Sequence, residues 1–530
     1  MASGSRDPQL AQLPPPAPGT AAFLAPPPYL PPTPGEHDGA LKDERRSGRG
    51  RLVLALVAVV VLGLISVVAL LVLKPSEELG PVRPAAWDPR VTELVGFVER
   101  ERGLTFKHPV FVDVIDAADI ARSLRSSDIA PSGETLNALL AEASMLRAVG
   151  LHQGEVDLHA SGPAPSAADV TAVYDPITER LAVPDREMDP RLRADVVHEL
   201  THVLHHQHFG TRIGQSAAVP TSVATLAEGD ANRIEQRYIE QLPASEQAEL
   251  AALAALAAPS DAPVGSPVGL RHRSQGASNL EALRLTPKVL GPALVTMLRD
   301  IDEQVALDAG LAQPAASDEA LIDPSHYRGN GSVRVVPAPT AVAGEVVQAE
   351  GALGPLVWYL MFAQHNTPGV ALQAAYGWGG DRYVLVKSGE QACLRANFRG
   401  DLPQDAVEFL TAAQAWAATA PAGARREVTK SGDQVTVTAC DPGPDAPSVA
   451  VVDPVITLAS VRLVLEYSVR VRQEQDLSYA QARCVAQTVV SQLSLEQVVL
   501  VRTLTSAELL APEIEADLDN RAAAALTSCG

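Results

Sequence analysis

Positive charge is scarce in this chain. Only 42 of its 530 residues are Lys or Arg, against 63 Asp or Glu, for a formal net charge of -21. A nucleic-acid partner asks for a basic face, so none is expected. The acidic excess is a solubility feature and says little about substrate. Cysteine is scarcer still: Cys393, Cys440, Cys484 and Cys529 are all there is. Four cysteines allow three connectivities. The expected pairs are Cys393–Cys440 and Cys484–Cys529, because each brackets one compact-looking segment. No internal repeat of fixed period is present, and no sugar-binding motif supports a cell-wall binder.

Long apolar runs are also few, with one exception. "LVLALVAVVVLGLISVVALLVL", residues 52–73, carries no charge over 22 residues. As a helix it would rise about 33 Å, enough to cross a bilayer. It is too long and too far from the N-terminus for a secretory signal. Lys42, Arg45, Arg46, Arg49 and Arg51 precede it, and only Lys74 and Arg83 follow closely. The positive-inside rule then predicts a single-pass cell-membrane protein with a cytoplasmic N-terminus and residues 75–530 outside. The Pro-rich run within residues 1–51 cannot pack a core and reads as a disordered tail. Residues 74–90 read as a stalk.

Histidine is concentrated in one stretch, "DPRLRADVVHELTHVLHHQHFG", residues 189–210. Asp189 is a good helix N-cap and Pro190 suits the first helical position. Leu192, Val196, Leu200, Val203 and Leu204 recur at three- and four-residue steps, the stripe of a packed helix. His198 and His202 are one turn apart on one face, as two imidazoles gripping one metal ion must be. Glu199 lies beside that position, where a carboxylate can take a proton from water. The preceding segment 171–185 reads as two strands joined by a turn at Asp175-Pro176, and a free strand edge beside such a helix can pair with an extended peptide.

The third metal ligand is contested between two residues. His208, six residues past His202, would suit a metzincin-like site, but that arrangement needs a glycine where His205 stands, and no Met-turn is evident. Glu228 lies on a second helix, roughly 222–240, with Gly229 and Ala231 small enough for close approach to the first. It is preferred, as His2Glu ligation is a known catalytic pattern. Asn232, one turn on, is placed to orient a ligand.

"VVHELTHVLHHQHF" followed by "LAEGDA" resembles a group of predicted bacterial zinc metallopeptidases of gluzincin type. "VERERGLTFKHPVFVDVI", "YDPITERLAV", "LIDPSHYRG", "YGWGGDRYVL" and "DAVEFLTAAQAW" extend the resemblance over about residues 91–416. It implies Zn2+ on His198, His202 and Glu228, with Glu199 as base. One departure is that the later motif usually begins His-Pro and here reads Asp323-Pro324. The expected fold is α+β: a zincin-like domain over 91–450, then a small helical module over 451–530. The expected function is a membrane-anchored zinc metallopeptidase acting on a protein or peptide substrate. The alternative is an inactive zinc-stabilised envelope scaffold. In "YGWGGDRYVL", a turn into a strand with a buried Asp381–Arg382 pair competes with a substrate clamp.

Overall fold

The computed structural model describes residues 82–124, 133–155, 170–212, 220–257, 279–302, 304–328, 332–446, 454–505 and 512–529. Among these, no helix is long and apolar enough to cross a membrane. The single-pass reading is corrected on that finding. The transmembrane helix expected at 52–73 lies outside the described residues, as does the Pro-rich tail, and the described architecture is α+β. The placement of residues 75–530 outside a cell membrane falls with it.

Helix α1 (Thr92–Arg102) buries Leu94, Val95, Phe97 and Val98 and stops at Gly103, whose φ of 72° suits a residue without a Cβ. Strand β1 (Phe111–Ile115), helix α2 (Ala117–Leu124) and helix α3 (Gly133–Val149) follow. Strands β2 (Val173–Asp175) and β3 (Arg180–Pro184) form the expected hairpin. Their sheet has the order β1-β3-β2, with β1 parallel and β2 antiparallel to β3, so β2 is an edge. The metal-motif helix α4 (Pro190–Phe209) and the Glu228 helix α5 (Thr221–Gln241) come next. Helices α6 (Ala244–Ala257), α7 (Asn279–Asp302) and α8 (Val305–Ala312) complete this half.

The second half is built on an antiparallel five-stranded sheet ordered β4-β5-β6-β8-β7. Its strands are β4 (Val346–Gly351), β5 (Trp378–Ser388), β6 (Gln391–Gly400), β7 (Arg426–Ser431) and β8 (Gln434–Cys440). Helices α9 (Gly354–Ala363), α10 (Pro368–Tyr376) and α11 (Asp405–Ala417) are interleaved with them. Cys393 and Cys440 sit directly opposite on β6 and β8 and are bonded. Four helices end the chain: α12 (Pro454–Gln475), α13 (Tyr479–Ser491), α14 (Leu495–Thr505) and α15 (Pro512–Cys529). The Cys484–Cys529 disulfide staples α13 to α15. Both expected pairs are therefore present.

Two large apolar cores organise most of these elements, and a small third one packs Ile120 and Ala121 of α2 against Val170. The smaller of the two large cores gathers Phe97 and Val98 of α1, Leu181 and Val183 of β3, and Leu192, Leu200 and Leu204 of α4. The larger gathers Leu290 and Leu294 of α7, Trp358 and Phe362 of α9, Phe398 of β6, Phe409 of α11, and Leu458 and Val485 of the last helices. The residues expected to form a small helical C-terminal module contribute Leu458, Val485 and Val498 to the larger core. Helix α5 belongs to both large cores, giving Ile234 to the smaller and Leu226 and Ala227 to the larger.

Candidate metal centre

Helix α4 begins as its sequence requires. The Asp189 carboxylate accepts from the Leu192 N–H at 2.8 Å, and Pro190 occupies the first turn. The apolar stripe enters the smaller core, which turns His198 and His202 toward α5. Their Nε2 atoms lie 3.1 Å apart. Glu228 reaches in from α5, its Oε2 3.6 Å from His198 Nε2 and its Oε1 3.7 Å from His202 Nε2. Ligand atoms of the three residues all lie within 4.8 Å of one another. Zinc bonds of about 2.0–2.1 Å in a tetrahedron place ligand atoms about 3.3 Å apart. The observed separations bracket that value, so the donor set fits a tetrahedral ion in both chemistry and spacing.

The rival ligand stays on the helix. Helix α4 runs through Phe209 and ends at Gly210, with φ 72°. His208 therefore points away, and its Nε2 lies 2.8 Å from the Thr105 carbonyl at the surface. His206 Nδ1 meets the Tyr174 hydroxyl at 2.7 Å. His205 is fully buried against Asp230, 3.0 Å away. None of the three approaches the Glu228 carboxylate as His198 and His202 do.

Charge around the cluster is strongly coupled. His198 Nδ1 lies 3.0 Å from Glu235 Oε2, which orients the ring and leaves Nε2 toward Glu228. Burial works against a charge on His198, but the nearby carboxylates of Glu228 and Glu235 outweigh it and raise its pKa to about 10. Burial lowers His202 to about 3, with the His198 charge acting in the same direction against the pull of Glu228. Two facing Nε2 atoms cannot both be protonated, so a single proton lies between them, carried by His198 Nε2 while His202 stays neutral. Burial would raise Glu228, but His198 and His202 outweigh it and hold the carboxyl at about 2. Sequence reasoning gave the orienting place to Asn232; the structure gives it to Glu235, two turns beyond Glu228.

Glu199 is tied to the edge strand. Its Oε2 accepts the Tyr174 N–H at 2.9 Å. Burial raises its pKa to about 7, against the pull of the His198 charge and of that hydrogen bond. The charge of Lys288, exposed on α7, also acts on Glu199, His202 and Glu228. No spacing in the sequence signals that Lys288 belongs here.

The residues after Glu228 face other neighbours. A Cβ on Gly229 would lie 2.2 Å from the Gly291 carbonyl oxygen, so α5 crosses α7 backbone to backbone there. The close approach expected toward α4 is made instead to α7. Asp230 is fully buried on the far side, 2.5 Å from Arg102 Nε, 3.0 Å from His205 Nε2 and 2.8 Å from Arg233 Nη2. Arg102 also reaches Asp308 of α8 at 2.5 Å. This network locks α1, α4, α5 and α8 together behind the His198, His202 and Glu228 cluster.

Two later motifs are structural. The buried Asp381 accepts from the N–H groups of Leu353 and Gly354 at 3.0 and 3.1 Å and from the Trp358 indole at 2.6 Å, which fixes the start of α9. Its partner is not Arg382, which is exposed. Asp323 pairs with Arg483 and accepts the Tyr479 hydroxyl at 3.0 Å, docking α13 where the related motif has histidine.

Residues 340–464 match a domain of unknown function, DUF8575. That span covers the five-stranded sheet and leaves out residues 198–228. No curated protein and no solved structure matches the chain.

Proposed function

We propose that the protein is a zinc-dependent peptidase of the gluzincin arrangement. The observation that supports this most is the meeting of His198 Nε2, His202 Nε2 and the Glu228 carboxylate, with Glu199 beside them on α4 and held by the Tyr174 N–H of the edge strand. His198, His202 and Glu228 would hold the ion, and a three-residue set leaves the open position that catalysis needs. Zinc bound there supplies Lewis acidity to the scissile carbonyl and to the attacking water.

The chain's own groups do the rest. An extended peptide lies along the free edge of β2, where backbone pairing aligns it. The Tyr174 N–H holds Glu199 Oε2, so Oε1 is the atom that takes the proton from water and passes it to the leaving amine. Glu235 keeps the His198 ring in place by its Nδ1. An inactive scaffold would have no need of a base at position 199.

Zinc content and peptide hydrolysis test this together, for variants dialysed under equal conditions. Glu228→Ala is expected to lose most of its zinc and all measurable hydrolysis. His208→Ala should keep both, and Glu199→Gln should keep zinc and lose hydrolysis. Zinc in the wild type with no cleavage of any peptide in a library would favour the scaffold. Loss of zinc from His208→Ala but not from Glu228→Ala would overturn the ligand set.

A further inference from the structure

A second site lies in the other half of the molecule and shares no residue with the metal centre. A small cleft opens between the end of α3, the start of β7 and the loop after β8. Two arginines and two histidines line it. Arg147 is fully engaged, holding Asp441 with Nε at 3.0 Å and Nη2 at 2.7 Å.

Arg426 is different. Its guanidinium stacks over Trp416 at 4.3 Å, and its Nη1 donates to the Trp416 carbonyl at 3.1 Å. Among the described residues no carboxylate pairs with it, and its Nε is buried without a hydrogen-bond partner. Burial alone acts on its pKa, lowering it to about 10, so it stays charged at neutral pH. Gly150 makes room for it: a Cβ there would lie 2.7 Å from Arg426 Nη2. His152 Nδ1 is also buried without a partner. The ring of His365, lined up on the same cleft, is pushed to about 4 by burial and then by the Arg426 charge.

A charged group withdrawn from water is costly unless paired, and an aromatic face offsets only part of that cost. Arg426 is thus a cation that asks for an anion, in a cleft whose other walls include Pro421, Pro442 and Ala446. Its planar fork suits a carboxylate, and the ring and methyl carbons of those walls suit a short apolar body. We infer that this cleft binds a small organic carboxylate, its oxygens on Arg426 and its hydrocarbon against Pro421, Pro442 and Ala446.

The test is calorimetric titration of the full chain with sodium butyrate at constant ionic strength, with sodium phosphate in a parallel arm. Wild type should bind butyrate, and its melting temperature should rise with butyrate concentration. Arg426→Met should bind at least about tenfold more weakly, the loss of one charge-assisted contact. It should melt no lower than wild type without butyrate, because it removes a half-buried charge that no carboxylate pairs with. Arg426→Lys keeps the charge but not the fork and should bind with intermediate strength. No butyrate binding by wild type, or equal binding by Arg426→Met, overturns the proposal. Tighter binding of phosphate than of butyrate overturns its apolar half.

Discussion

Two carboxylates, Glu228 and Glu235, set the charge of the His198 ring. Glu235 sits on His198 Nδ1, and together with Glu228 it keeps a proton on that ring up to about pH 10. Zinc needs the neutral imidazole, so uptake must displace the proton. The direction follows: the metal-free form is favoured as pH falls, and apparent zinc affinity should rise roughly tenfold per pH unit between roughly pH 7 and 9. Titrations in buffers of different ionisation enthalpy would show close to one proton released per zinc. Glu235→Ala should weaken zinc binding by about 10–100-fold, the usual effect of losing such a partner. It should also flatten the pH dependence, since the ring then titrates nearer its ordinary value. A variant with unchanged affinity and slope would show that Glu235 orients nothing.

Helix α5 carries three consecutive residues with three destinations: Glu228 to His198 and His202, Gly229 to α7 and Asp230 to the Arg102 network. Gly229→Ala drives a methyl into the Gly291 backbone at 2.2 Å, so the helices must part. A loss of about 3 kcal/mol is expected in urea denaturation, with a drop in zinc content because Glu228 is the adjacent residue. Gly210→Ala is the contrast, since open space surrounds that position and only its φ of 72° is strained. Its cost should be about 1–2 kcal/mol, with zinc retained. Equal effects from the two would show that the crossing at Gly229 is not tight. The sequence made α4 legible through its cap, its stripe and its paired histidines, because all of these are local. It also marked the β2–β3 hairpin and the Glu228 helix. It could not show that Gly229 faces α7, that Asp381 holds α9 or that Glu235 outranks Asn232. Those depend on which helix lies against which, and residue spacing within one helix carries no record of that.

The whole molecule is stapled in two places, and both staples were readable from the bracketing of segments by cysteines. The described residues contain no free cysteine. Denaturation without reductant should therefore expose no thiol, and peptide mapping should link Cys393 to Cys440 and Cys484 to Cys529. Each disulfide closes a loop of similar length, with separations of 47 and 45 residues. Reduction should cost about 2–4 kcal/mol for each. A Cys393–Cys484 linkage would contradict the structure. Helix α5 sets a further property of the molecule, through its membership of both large apolar cores. Ile234 cannot leave the smaller core while Leu226 and Ala227 stay fixed in the larger unless the helix between them breaks. The two cores are thus mechanically in series, like two rooms sharing one beam. Heat capacity should record one melting event for residues 82–529, its calorimetric and van't Hoff enthalpies equal, where a pair of independently folding halves would give two.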